Sequence, residues 1–83
     1  MSKRKKPKRG DLVLVSWLDI VTDAHDDPTD ADAMHFETVA KFWCWKRTKH
    51  GRVLVTTDST ALDGSPYGYT AYPEGCIVKV RRV

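Results

Sequence analysis

The sequence predicts one small all-β domain, and three observations support this. Its apolar residues fall into short runs rich in Val, Leu, Trp and Tyr, which favour strands. Gly and Pro occur between these runs, where they are typical of turns. The runs are too short for globular helices, and 83 residues leave room for a single core.

The first two strands are predicted on either side of a long polar segment. Residues Leu12–Trp17 are dense in Val and Leu and predict a strand that is buried on both faces. Residues Val39–Lys46 are β-branched and aromatic and predict the second strand. The segment between them, residues 19–37, is expected to be a loop.

The next two strands follow tighter connections. A turn that closes at Gly51 leads to a third strand, Arg52–Asp58, whose Val and Thr residues favour extended backbone. A Gly- and Pro-containing loop then leads to a short fourth strand around Tyr69–Ala71.

The last strand begins after one tight turn at residues 72–75, where Pro fixes its own φ and Gly tolerates a reversal. Residues 76–83 alternate and predict the fifth strand. Its side chains divide between two faces, with Val78 and Val80 on one and Lys79 and Arg81 on the other.

This order of elements is the layout of an SH3-like five-stranded small barrel, with a long acidic first loop and a basic N-terminal arm. Closure of the sheet would hide edges that so short a chain cannot cover otherwise. The predicted organisation is a flexible basic arm at residues 1–10 and an SH3-like β-barrel domain at residues 11–83. An OB-fold is the main competitor, but it needs a helix that the sequence does not predict.

Charge is sorted by segment along the chain. Residues 1–10 carry six Lys or Arg and no acid, whereas residues 19–37 carry seven acids and no Lys or Arg. From residue 38 onward there are eight Lys or Arg against three acids. Such blocks stay solvated and are typical of interaction surfaces, so the sequence indicates a binding protein.

Size and cysteine content limit the setting. A domain of this size buries about 60 to 65% of its unfolded surface, so its stability is expected to be marginal. Cys44 and Cys76 follow no apolar signal region, which predicts a cytoplasmic protein, in the host cell cytosol, with both thiols reduced. No apolar run approaches the roughly 20 residues that a membrane span needs.

Several short stretches also resemble a loose group of phage-encoded accessory proteins of unassigned function. The chain has their V-x-W-x-D opening, which ends at Asp19, and their closing run of a hydrophobic residue, Pro, x, Gly, x and Ile at residues 72–77. The resemblance covers most of residues 11–83 and implies a phage origin more than an activity. The basic arm is not part of that pattern, and no ALYDY-type run supports proline-peptide binding.

Aromatic and basic residues come together in the middle of the chain. Trp43 and Trp45 are expected to share one face of a strand that ends in Lys46 and Arg47, with Phe42 in the core. Aromatic rings beside cations suit a base that stacks and a phosphate that pairs. The ligand-binding residues predicted are Trp43, Trp45, Lys46, Arg47 and Tyr69. The phosphate-contacting arm comprises Lys3, Arg4, Lys5, Lys6, Lys8 and Arg9.

The acidic segment permits a different function. Thr29 or Asp30 is expected to cap one helical turn through Met34. The loop lacks the Gly of a Ca²⁺ loop, and the chain has no zinc-type spacing, so no metal and no cofactor are predicted. No nucleophile, base and orienting group are spaced for catalysis, which predicts that the protein is not an enzyme. The predicted protein-docking residues of this loop are Asp26, Asp27, Asp30 and Asp32.

The leading prediction is therefore a non-enzymatic phage accessory protein, acting in host takeover or anti-defence, that binds nucleic acid or a nucleotide signal. The alternative is a protein-binding inhibitor whose acidic loop docks on a basic host protein. A third hypothesis is a homo-oligomer in which the arm of one copy lies along the acidic loop of another. No membrane partner is predicted.

Overall fold

In the part of the chain that the structure describes, five antiparallel strands form one sheet. The computed structural model describes residues 6–20, 29 and 31–83. The strands are β1 Leu12–Asp19, β2 Met34–Thr48, β3 Gly51–Thr60, β4 Pro66–Pro73 and β5 Ile77–Arg82, and a 3₁₀ turn at Glu74–Cys76 precedes β5. Their order across the sheet is β4-β3-β2-β1-β5. The predicted all-β class with five strands is confirmed.

The sheet is open, so the prediction of a closed barrel is wrong. Strands β4 and β5 lie at opposite edges of the sheet and do not pair in the part of the chain that the structure describes. Strand β2 is 15 residues long, and its first half pairs with β1 while its second half pairs with β3. Edge strand β4 pairs with β3 and edge strand β5 pairs with β1, so each is joined to a different half of β2 through one intervening strand, which keeps the two edges apart.

Strand β2 also begins earlier than predicted. Residues 34–37, which the sequence predicts to be part of the acidic loop, pair with β1 from Asp19↔Met34 to Ser16↔Glu37. The predicted helical turn does not extend through Met34: Thr29 is in a 3₁₀ turn, but residues 31–33 are irregular and Met34 is extended. Pairing with β1 overrides the local preference of this segment for a loop. Asp30, the other predicted cap of the turn, lies outside the described residues.

A β-bulge in β2 decides which aromatic side chains are buried. The register with β3 shifts between Phe42 and Cys44, so Trp43 is the extra residue. As a result Phe42 belongs to the core and Trp45 packs against it. The prediction that Trp43 and Trp45 share one face is wrong, because the bulge inserts a residue into the alternation.

A second bulge affects β5 in the same way. The register with β1 passes from Trp17↔Ile77 to Ser16↔Lys79, which leaves Val78 unpaired. Ile77 and Val80 pack against the core, whereas Val78 is 57% exposed. The predicted shared face of Val78 and Val80 is therefore wrong.

The core lies on one face of the sheet, which we call the core face. Its buried apolar residues are Val13, Val15, Phe42, Leu54 and Tyr72. Trp17 extends this core: its ring lies 5.0 Å from that of Phe36, and its Nε1 donates a hydrogen bond to Thr38 Oγ1. No helix among residues 6–20, 29 and 31–83 is long and apolar enough to span a membrane. We call the opposite side of the sheet the outer face.

Candidate functional site

A row of directly opposed residues crosses the outer face. The register pairs Tyr69 with Thr57, Thr57 with Lys41, and Lys41 with Leu12. Paired residues of neighbouring strands point to the same side of a sheet. The row therefore places an aromatic ring, a hydroxyl, an ammonium and an aliphatic side chain in one line across four strands.

Further outer-face residues follow by alternation. Tyr67 lies two residues from Tyr69 and opposite Ser59. On the other side of the sheet, Arg81 pairs with Leu14 and Lys79 pairs with Ser16. The prediction that Lys79 and Arg81 share one face of β5 is thus confirmed by the register.

Trp43 occupies the outer face at the bulge, directly after the core residue Phe42. The guanidinium carbon of Arg9 lies 4.2 Å from the centroid of the Trp43 ring. The Nε of Arg9 also donates a hydrogen bond to the carbonyl of Trp43 at 3.2 Å. A cation of the predicted arm is therefore fixed on an aromatic residue of the predicted site.

The end of the arm is bound to the sheet. Asp11 N donates to the carbonyl of Lys8, and Gly10, with a φ of 94°, donates its N–H to Phe42 O. The positive φ of Gly10 lets the chain turn there and places Arg9 beside the bulge. Lys6, Lys8 and Arg9 are exposed. Lys3, Arg4 and Lys5 lie outside the described residues.

A second arginine covers a tryptophan on the core face. Arg52 lies 4.2 Å from the centroid of the Trp45 ring, and its Nη1 is 3.1 Å from Glu74 Oε2. Arg47 pairs with Arg52 across the β2-β3 hairpin and so shares its face. Trp45 and Arg47 are consequently on the side opposite to Trp43.

The structure thus divides the five predicted ligand-binding residues between two faces. Trp43, Lys46 and Tyr69 lie on the outer face, since Lys46 pairs with Val53 two residues beyond the outer-face pair Cys44↔Val55. Trp45 and Arg47 do not join them. Sequence reasoning missed four members of the outer face, although period-two alternation would have found them. They are Lys41, Tyr67, Lys79 and Arg81.

Charge on the outer face is mostly positive. At the outer-face positions of the described strands, Glu37 is the one acid. Its Oε2 accepts a hydrogen bond from Ser16 Oγ at 3.1 Å, and His35 Nε2 lies 3.2 Å from the same hydroxyl. The cations of this face, which we call the outer cations, are Arg9, Lys41, Lys46, Lys79 and Arg81.

A buried hydroxyl lies in the middle of this face. Thr57 is 1% exposed, and its Oγ1 makes no hydrogen bond to any residue that the structure describes. A buried hydroxyl without a partner costs about 1 to 3 kcal/mol. Its position between Lys41 and Tyr69 places this cost at the centre of the candidate site.

The acidic loop lies mostly beyond the described residues. Asp26, Asp27 and Asp30 are outside them, and Asp32 is exposed and accepts a hydrogen bond from Ala33 N. In the described ranges, no group of three His, Cys, Asp or Glu residues is placed to hold a metal ion. Cys44 and Cys76 are free thiols, both half-buried.

Comparison with protein-family models, with curated proteins and with solved structures gave no match. The resemblance to phage-encoded accessory proteins therefore stays a prediction, and the arrangement of residues on the outer face carries the functional argument.

Proposed function

We propose that this chain is a binding protein that holds nucleic acid on the outer face of its sheet. The observation that carries the proposal is the composition of that face. Three aromatic side chains, Trp43, Tyr67 and Tyr69, share it with the five outer cations and one acid. Cations that neutralise phosphates, together with rings that stack on bases, are the two components of such binding surfaces. The one-turn break before β5 supports an SH3-like arrangement of the strands, in which the sheet is open and not closed into a barrel.

The width of the face favours a polymer over a free nucleotide. Neighbouring strands are about 4.8 Å apart, so a path from Tyr69 on β4 to Arg81 on β5 covers roughly 19 Å. One nucleotide cannot contact both ends of that path, whereas consecutive phosphates of a strand can. The outer cations then contribute together to one ligand.

Binding by this face has a characteristic salt dependence. If the five outer cations each neutralise one phosphate, the logarithm of the binding constant falls with the logarithm of salt concentration with a slope of roughly −3.5 for a single strand or −4.5 for a duplex. A free nucleotide would neutralise fewer cations and give a much shallower slope.

The test uses two neighbouring residues of β2 that lie on opposite faces. Lys46→Ala and Arg47→Ala remove the same charge from adjacent positions, and both side chains are exposed. We expect Lys46→Ala to weaken binding of a labelled oligonucleotide, measured by fluorescence anisotropy near physiological salt, and Arg47→Ala to leave it unchanged. Equal losses would show that net charge acts without a defined face, and no binding at low salt would refute the proposal.

The same assay separates the alternative function. Replacing Asp26, Asp27, Asp30 and Asp32 by Asn should leave oligonucleotide binding intact, because Glu37 is the acid on the outer face of the described strands. If the four Asn substitutions instead abolish the biological function of the protein and Lys46→Ala does not, the acidic loop carries that function by docking on a basic protein.

A further inference from the structure

Two tyrosines stand side by side on the outer face of edge strand β4. Tyr67 is 72% exposed and Tyr69 is 76% exposed, so both rings remain in contact with water. Single exposed apolar residues are common on protein surfaces, but a pair on one face of one strand offers two aromatic rings to the same ligand. Neither ring belongs to the core cluster formed by the described residues.

The spacing of the pair suits planar bases. Residues i and i+2 of a strand are about 6.8 Å apart, which is twice the ~3.4 Å rise between stacked nucleotides of one strand. Two neighbouring bases can therefore each stack on one ring, or one base can enter between the rings. Tyr67 and Tyr69 keep this relationship because their partners Ser59 and Thr57 continue the ladder without a shift.

Gly68, between the two tyrosines, lies against an acid on the opposite face of the sheet. Its φ is 72°, and a Cβ built on it would meet the carboxylate of Asp58. Asp58 follows the outer-face residue Thr57 and therefore points to the core face. The Asp58 carboxylate is consequently on the side away from a phosphate backbone on the outer face.

Stacking of this kind requires bases whose faces are free. In a duplex each base is covered by its neighbours, whereas the bases of a single strand can be splayed and stacked on aromatic side chains. The pair also lies at an open edge, where no further strand of the described chain blocks a ligand that crosses it. The outer cations lie on the other side of the pair, beside or on β2 for Arg9, Lys41 and Lys46 and on the far edge strand β5 for Lys79 and Arg81.

We propose that the ligand is single-stranded nucleic acid, with successive bases stacked on Tyr67 and Tyr69 and its phosphates on the outer cations. This inference rests on the proposed function and names the ligand class for that same face. It predicts a preference for single strands that the cations alone would not give, because a duplex presents more phosphates to the same charges.

The experiment compares an oligothymidylate of roughly 12 nucleotides with the duplex that it forms with its complement, a length within the usual site size of small single-strand binders. Tyr67→Leu and Tyr69→Leu are each expected to weaken single-strand binding by about fivefold to 150-fold and to leave duplex binding unchanged. Tyr67→Phe and Tyr69→Phe keep the ring and should bind like the original chain. Circular dichroism of each variant shows that the sheet is retained.

The outcomes distinguish the two proposals. If single strand and duplex bind equally and the Leu variants match the Phe variants, the single-strand inference is overturned, while a loss in Lys46→Ala still supports nucleic-acid binding. If neither probe binds, the proposed function fails and this inference fails with it. A single-strand preference that disappears only in the Leu variants supports both.

Discussion

Arg9 lies across Trp43, with its guanidinium carbon 4.2 Å from the ring centroid, and it also donates a hydrogen bond to the Trp43 carbonyl. The same 4.2 Å geometry joins Arg52 to Trp45 on the opposite face of the sheet. The described residues thus include two matched arginine-tryptophan pairs, one inside the candidate site and one outside it. This repetition allows the contribution of the outer face to be measured against an internal control.

The first prediction concerns these two arginines. Arg9→Ala and Arg52→Ala remove the same charge and the same type of contact, so each should lower the free energy of unfolding by up to about 1 kcal/mol. Arg52→Ala also removes an exposed ion pair with Glu74, which adds little. Only Arg9→Ala should weaken oligonucleotide binding and reduce the salt slope, by about 0.7 to 0.9.

The measurement is anisotropy over a range of salt concentrations, with urea unfolding to report stability. At about 0.15 M salt the Debye length is ≈ 8 Å, so the loss of a remote charge on the other face is screened. Equal salt slopes for the two variants would contradict the assignment of Arg9 to the site.

The two arginine pairs also show what the sequence could and could not predict. Regular alternation of side chains was sufficient to place Phe42 in the core and to place Lys79 and Val80 on opposite faces of the sheet. The bulge at Trp43 could not be predicted, because it arises where β2 changes partners from β1 to β3. Local sequence therefore paired Trp43 with Trp45 on one face, where the structure separates them.

Contacts between distant residues account for the rest of the site. Arg9 and Trp43 are 34 residues apart, and their contact depends on the turn at Gly10 and on pairing of Gly10 with Phe42. The sequence indicated both partners, one as an arm residue and one as a ligand-binding residue, but not that they meet. Whether the sheet closes could likewise not be predicted from local sequence, because closure depends on how far apart the two edge strands, β4 and β5, lie.

The second prediction concerns Gly68, which separates the two tyrosines of β4. Its φ of 72° is unfavourable for a residue with a Cβ, and such a Cβ would meet the Asp58 carboxylate. Gly68→Ala should therefore lower the free energy of unfolding by about 1 to 2 kcal/mol or more. Gly75→Ala is the matched control, because a Cβ there has nothing within 4 Å and its φ is not positive.

Urea unfolding with an unchanged m-value measures the difference. The double variant Asp58→Ala, Gly68→Ala separates the two causes, since it removes the close contact and keeps the backbone strain. A Gly68→Ala midpoint equal to that of Gly75→Ala would show that the strand relaxes at this position, and it would remove the reason for a glycine between the tyrosines.

The third prediction concerns the buried hydroxyl of Thr57. Thr57→Val keeps the shape of the side chain and removes a hydroxyl that has no partner in the described residues, so stability should be unchanged or increased. Thr57→Ser keeps the hydroxyl and loses a buried methyl group, which should cost about 0.8 kcal/mol. Thermal unfolding of both variants gives the comparison. A Val variant that is the less stable of the two would mean that the hydroxyl is hydrogen-bonded in solution.

The last prediction concerns pH and the loop between β3 and β4. Asp63 accepts hydrogen bonds from the hydroxyl of Ser65 and, at 2.9 Å, from its backbone N–H, with Gly64 turning the chain between them at a φ of 91°. The Ser65 hydroxyl, followed by its backbone N–H, lowers the pKa of Asp63 below its ordinary value of 3.8. A carboxyl whose pKa is lowered on folding contributes stability that is fully present above the ordinary value.

That contribution is lost as the pH falls through the lowered pKa of the folded state, because the protonated carboxyl no longer accepts these bonds as a charged group. In Ser65→Ala the strongest cause is removed, so the pKa of Asp63 should rise toward 3.8, as followed by the NMR shift of its carboxyl carbon. Ser59→Ala, on β3, is the control and should leave the Asp63 titration in place. An Asp63 titration that is the same in Ser65→Ala as in the original chain would show that the hydroxyl does not hold the carboxylate in solution.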